Sequence, residues 1–199
     1  MNEIQVRELL LQAVETERAG VEVYETAIEC AQNELLRAEW VEYRDQTKRH
    51  EEVLRDLCET LGIDPESETA GRAVVRLLGN GLVAAMRKAA DQGSPEVAQL
   101  VAAECVVLAE TKDHLNWELI EEIERETTDE TRRAALRAAF DAVEEDEDRH
   151  LYHTEGWTRE LWLESLGLPC VIPPPEETDD VTTAIEAARV RQQRDDHVA

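Results

Sequence analysis

The chain has 199 residues, 42% of them hydrophobic, and carries 46 acids against 21 bases for a formal net charge of −25. That length suits one domain with a real core, and the charge repels nucleic acid and anionic membrane surfaces, so neither is expected as a partner. The cysteines at 30, 58, 105 and 170 form no Cys-x-x-Cys pair, which excludes a zinc ribbon, a rubredoxin-type site and a thioredoxin motif. No run of about 18 uncharged apolar residues is present. The N-terminus, MNEIQVRELLLQAVE, is acidic and amphipathic rather than basic and then apolar. A cytoplasmic protein is expected, with Cys30, Cys58 and Cys105 as small core residues.

Asn2 is a good N-cap for a first helix, whose apolar stripe at Leu10, Val14, Val21, Tyr24 and Ile28 ends near Ala31. Asn33 caps a second, with the seam Leu36, Trp40, Tyr43, Thr47, His50, Leu54, Leu57 and Leu61, stopped by Gly62 and Pro65. So short a turn makes the two antiparallel neighbours. Residues 69–92 read as helix interrupted at Gly79-Asn80-Gly81. Ser94-Pro95 opens a third long helix with the seam Leu100, Ala103, Val107, Glu110, His114 and Trp117. Asp129 caps a fourth, with the seam Leu136, Phe140, Val143, Glu147, His150, Thr154, Trp157 and Leu161, ended by Gly167 and Pro169. Pro173-Pro174-Pro175 then forms an extended spacer before a short polar helix from about residue 180 to 193. No strand pattern occurs. The expectation is an all-α four-helix bundle over 1–168, made of two antiparallel hairpins with a helical crossover at 63–94. Residues 169–199 form a Pro-rich linker with a short helix or disordered tail.

The hairpins repeat. Leu36, Trp40, His50 and Leu61 match Leu136, Phe140, His150 and Leu161, while Val14, Glu17 and Tyr24 match Val107, Glu110 and Trp117. Residues equidistant from a turn lie at one height in an antiparallel hairpin. Glu17 pairs in this way with Thr47 about the first turn, and Glu110 with Glu147 about the second. All the polar seam residues therefore fall at one level of the core. Burying such groups costs several kcal/mol unless they are paired or bind metal. His153, His197 and the run Glu144-Glu145-Asp146 are predicted at the surface.

This constellation resembles the ferritin-like di-iron carboxylate superfamily, with rubrerythrin's di-iron domain as the nearest likeness. The family motif is one Glu from each of two helices and Glu-x-x-His from each of the other two. Glu17 and Glu110 match the single carboxylates, and Glu147-Asp148-Arg149-His150 is a complete Glu-x-x-His. Thr47-Lys48-Arg49-His50 departs, with threonine where the family has a bridging glutamate. The resemblance implies two iron ions, or manganese, with Glu17 and His50 on one, Glu110 and His150 on the other, and Glu147 between them. His114, one turn from Glu110, is expected as a replacement ligand, and Tyr43 as a lesser one. The resemblance also implies metal-centred reaction with oxygen or peroxide, of oxidoreductase or ferroxidase type. Electrons would come from the substrate or a separate partner. The rival expectation is a metal-free structural or partner-binding bundle with a degenerate site. Either form leaves acidic helix faces for a homodimer.

Overall fold

Eight helical segments and no strand occur among residues 1–197, which the computed structural model describes, with side chains through Arg194. They are α1 (Glu3–Cys30), α2 (Glu34–Thr60), α3 (Ala70–Gln92), α4 (Pro95–Glu126), α5 (Glu130–Asp141), α6 (Glu144–Ser165), α7 (Pro175–Thr178) and α8 (Ala184–His197). The protein is all-α. Five of the helices start where a side chain satisfies orphan backbone N–H groups. Asn2, Asn33, Thr69, Ser94 and Asp129 accept bonds from the first turns of α1, α2, α3, α4 and α5. Gly62, at φ +71°, supplies the left-handed residue after α2.

Two stretches depart from the sequence expectation. Helix α3 runs unbroken through Gly79 and Gly81. A Cβ on Gly79 would sit 2.6 Å from the Cβ of Ala19, so this glycine serves a close helix crossing rather than a break. The predicted fourth helix is instead two, parted at Ala142 and Val143. Val143 has φ −130° and ψ −21° and provides no side-chain cap for α6. No Gly or Pro marks this interruption. It is made by packing: Val143 is 1% exposed, wedged among Leu136, Ala139 and Ile120.

Helix α1 packs against α2, α3 and α4, and α4 in turn packs against α5 and α6. The α1–α2 turn is pinned to α4 because Gln99 Oε1 accepts from the N–H groups of Gln32 (2.6 Å) and Asn33 (2.7 Å). The crossover is anchored by Arg72, 1% exposed, whose Nε donates to Glu15 Oε2 at 2.7 Å while Nη1 donates to the carbonyls of Ser67 and Pro65. The apolar core falls into two clusters. One is built on Tyr24, Leu36, Trp40, Trp157 and Leu161, the other on Leu10, Val14, Leu54, Trp117, Ile120 and Leu136. Buried polar residues separate them.

Residues 169–194 dock on α6 rather than trailing free. Glu160 and Glu176, both 0% exposed, take Arg159, and Glu160 also accepts from Val171 N–H at 2.8 Å. A Cβ on Gly156 would lie 2.6 Å from Glu176 Oε2, so the tail crosses α6 where the helix lacks a side chain. Val181, Ala187 and Val190 close a small cluster with Tyr152. The side chain of His197, predicted at the surface, lies outside those described. No described helix is long and apolar enough to cross a membrane.

Candidate metal centre

The polar layer draws on four helices. Glu17 comes from α1, His50 from α2, Glu110 and Asp113 from α4, and Glu147 and His150 from α6, each no more than 4% exposed. On α4 and α6 the two residues stand three apart, which brings their side chains together on one face. His50 Nδ1 lies 2.8 Å from Glu147 Oε1 and 3.9 Å from Glu17 Oε2. His150 Nδ1 lies 3.5 Å from Glu110 Oε2 and 3.9 Å from Glu147 Oε1. Trp117 Nε1 donates to Glu17 Oε1 at 2.9 Å, leaving Oε2 free to face the others.

Seven of the buried atoms without a partner belong to these six residues. Glu17 Oε2, Glu110 Oε2, Asp113 Oδ1, both oxygens of Glu147 and Nδ1 of both histidines are buried without a hydrogen-bond partner. Buried polar atoms are almost always paired in folded proteins, so this many orphans close together mark a place where a ligand could bind. Two overlapping triads have ligand atoms within 4.8 Å of one another: His50, Glu147 and His150, and Glu17, Asp113 and Glu147. Glu147 belongs to both.

A hydrogen-bonded chain behind the layer fixes the imidazoles. Asp146 Oδ2 is 3.3 Å from His50 Nε2, and its Oδ1 accepts from Gln46 Nε2 at 2.9 Å. Gln46 Oε1 then stands 2.9 Å from His150 Nε2. A carboxylate accepts from both neighbours, so the amide of Gln46 must present its oxygen to His150. Nε2 of each ring is thus engaged behind the layer, and Nδ1 is the nitrogen each ring presents to it, the atom through which an imidazole held in this way would bind a metal.

Five of the six residues picked out by sequence converge here: Glu17, His50, Glu110, Glu147 and His150. His114 does not. It points away from the layer, with Nε2 2.9 Å from Asp148 Oδ1 and Nδ1 3.8 Å from Glu118. Asp113 takes the inward position instead. Tyr43 lies tilted against His150 with ring centroids 4.3 Å apart, but its hydroxyl donates to Glu39 and lies 3.0 Å from His153 Nδ1. His153 is 4% exposed and bonded to Glu39 and the Val181 carbonyl, which corrects its expected surface position. Asp146, expected in a solvated run, is drawn inward by His50 and Gln46. Thr47 Oγ1 bonds the Tyr43 carbonyl at 2.8 Å and offers nothing to the layer.

With Glu17, Glu110 and Glu147, Asp113 makes four buried carboxylates. Unbalanced, they resist ionisation. Burial pushes Glu110 up to about 7, and burial together with Glu110 pushes Asp113 up to about 7. Glu17 and Glu147 are raised well above the carboxylate range by burial and by one another's neighbours. Burial and the adjacent His50 hold His150 well below 6.5.

These shifts make the metal-free protein's stability fall as pH rises. Above an unfolded carboxyl's ordinary pKa near 4, only the folded chain keeps protons on Glu110 and Asp113, and it loses them through about 7. Between those two values stability declines by about 1.4 kcal/mol per pH unit for each such proton. His150 acts in the opposite sense only below 6.5, where the folded chain refuses a proton that the unfolded chain takes up. In chelator, the urea midpoint is therefore expected to drop between about pH 5 and about 7 and to level off above that as far as these two groups go. A Glu110→Gln/Asp113→Asn double variant should flatten that slope.

No family model, curated protein or solved structure matches this chain. The site is a buried cluster of four carboxylates and two oriented imidazoles whose free atoms face inward.

Proposed function

We propose that the protein is a ferritin-like metalloprotein whose helical core holds two iron ions, or two manganese ions, and reacts with oxygen or peroxide. The observation that supports this reading is the convergence of unpartnered buried ligand atoms from four helices on one level. Glu147, common to both triads, would bridge. His50 and His150 would serve one ion, with Glu110 beside His150, and Glu17 and Asp113 would serve the other. Mixed imidazole and carboxylate donors suit iron and manganese. Bound ions would supply redox chemistry at a site where one-electron changes are cushioned by four anionic side chains.

The chain's own residues do the rest. Asp146 and Gln46 keep both Nδ1 atoms aimed at the layer. Trp117 near His50 and Tyr24 near His150 wall the site on its two apolar sides, with ring centroids 6.5 and 6.0 Å away. The carboxyl protons leave as cations enter, so uptake tightens with pH through about 7.

Thr47, which offers the layer no ligand, motivates the second reading, a metal-free bundle that binds a partner. Protein purified from iron-supplemented cells decides between them. Two equivalents of iron or manganese per chain are expected, with added ferrous ion at 100 times its Kd stabilising the metal-free form by about 2.7 kcal/mol. Protein that carries neither metal and shows no such shift would leave the metal-free reading standing.

A further inference from the structure

A cavity of about 200 Å³ opens where α5 gives way to α6, between α4, α6 and the start of α8. At its inner end is Glu147, 2% exposed, with neither carboxylate oxygen hydrogen-bonded. Glu118 and Glu121 of α4 and Glu144 and Asp148 of α6 line the approach, with His114 held between Asp148 and Glu118. No Lys or Arg lines it, although Arg125 pairs with Glu121 from outside. The contrast is the groove of about 270 Å³ between α1, α3 and α4, which is apolar, has Lys112 among its lining residues, and touches none of the layer's ligand residues.

We propose that the acidic cavity at the α5–α6 junction is the route by which divalent cations reach the buried centre. This rests on the two-metal reading. A cleft of one charge sign with low-dielectric walls concentrates counter-ions and raises their association rate by about 10-fold to 10³-fold. Its volume holds an ion with its six waters, at about 30 Å³ of liquid volume each. Glu147 is both the last residue of the route and the ligand common to the two triads, so an arriving ion exchanges water for a carboxylate already inside the site. Oxygen and peroxide are neutral and gain nothing from the field. Anionic substrates are turned away, so this opening serves the metal. His114 and Asp148 belong to the route and not to the centre.

Stopped-flow absorbance of cobalt(II) binding to metal-free protein tests this. A Glu118→Gln/Glu121→Gln/Glu144→Gln variant is expected to load at least about tenfold more slowly at low salt, with a weakened salt dependence and the same final two equivalents. A Glu22→Gln/Glu25→Gln/Glu29→Gln control, with the same charge change on exposed α1 positions, should load at the wild-type rate. Ala184→Trp fills the cavity mouth without altering charge and should also slow loading, which keeps the test open if the triple variant folds poorly. Wild-type rates in both cavity variants, or equal slowing in the control, would overturn the route. So would a reduced final stoichiometry, which would place these carboxylates among the ligands. Wild-type protein that takes up no cobalt at all fails differently: it removes the two-metal reading and the route together.

Discussion

Glu147→Gln is expected to abolish binding of both ions and, at the same time, to make the metal-free protein more stable. The two effects have one cause. Glu147 is 2% exposed, lies among Glu17, Glu110 and Asp113, and has His50 Nδ1, 2.8 Å from Oε1, as the nearest basic atom. Folding without metal must therefore either desolvate an anion among anions or hold a proton there. Glutamine keeps the shape and removes the charge. Neutralising one carboxyl among several that repel one another relieves both its desolvation cost and that repulsion. The gain should be largest near pH 8, where the neighbouring carboxyls have ionised. Because Glu147 completes both triads, its loss leaves each short of a ligand. Calorimetry in chelator, followed by metal titration, gives both readouts. A variant that is less stable without metal and still binds two ions would contradict the geometry described for Glu147.

The second large effect separates two adjacent residues. Asp113→Asn is expected to reduce bound metal from two equivalents to one, while His114→Ala leaves it at two. Asp113 is 4% exposed, has an unpartnered oxygen, and closes the triad with Glu17 and Glu147. His50, His150, Glu147 and Glu110 remain for a single ion in the asparagine variant. His114 is engaged with Asp148 at 2.9 Å and contributes no atom to either triad. Equilibrium dialysis with metal analysis distinguishes these outcomes. Two equivalents in Asp113→Asn, or one in His114→Ala, would reverse the assignment.

The choice between those two residues was not legible in the sequence, for a geometric reason. At 3.6 residues per turn, a step of three falls about 60° short of a full turn and a step of four goes about 40° past it. Both Asp113 and His114 therefore lie within reach of the face that carries Glu110. Only the approach of α1 and α6 selects one. The seam positions of Glu17, His50, Glu110, Glu147 and His150 were legible because each interrupts an otherwise apolar stripe. Gln46, Asp146 and His153 interrupt nothing. They sit on faces rich in charge, and their burial comes from neighbours far along the chain: Asp146 for Gln46, His50 for Asp146, Val181 for His153. Helix starts were plain wherever Asn, Ser, Thr or Asp supplies the cap. The start of α6 was not, since Val143 provides no capping side chain and only tertiary packing interrupts the ladder.

That interruption changes the potential inside the protein. A helix running unbroken from Glu130 to Ser165 would pass the polar layer in mid-span, where the peptide dipoles of successive turns cancel. Ending α5 at Asp141 and restarting at Glu144 puts the positive terminus of a 22-residue helix in the turn that carries Asp146 and Glu147. Such a terminus is equivalent to roughly half an elementary charge. The carbonyl end of α5, two residues earlier, carries the opposite sign, so the residue that both triads share sits at a junction of helix termini instead of in mid-helix.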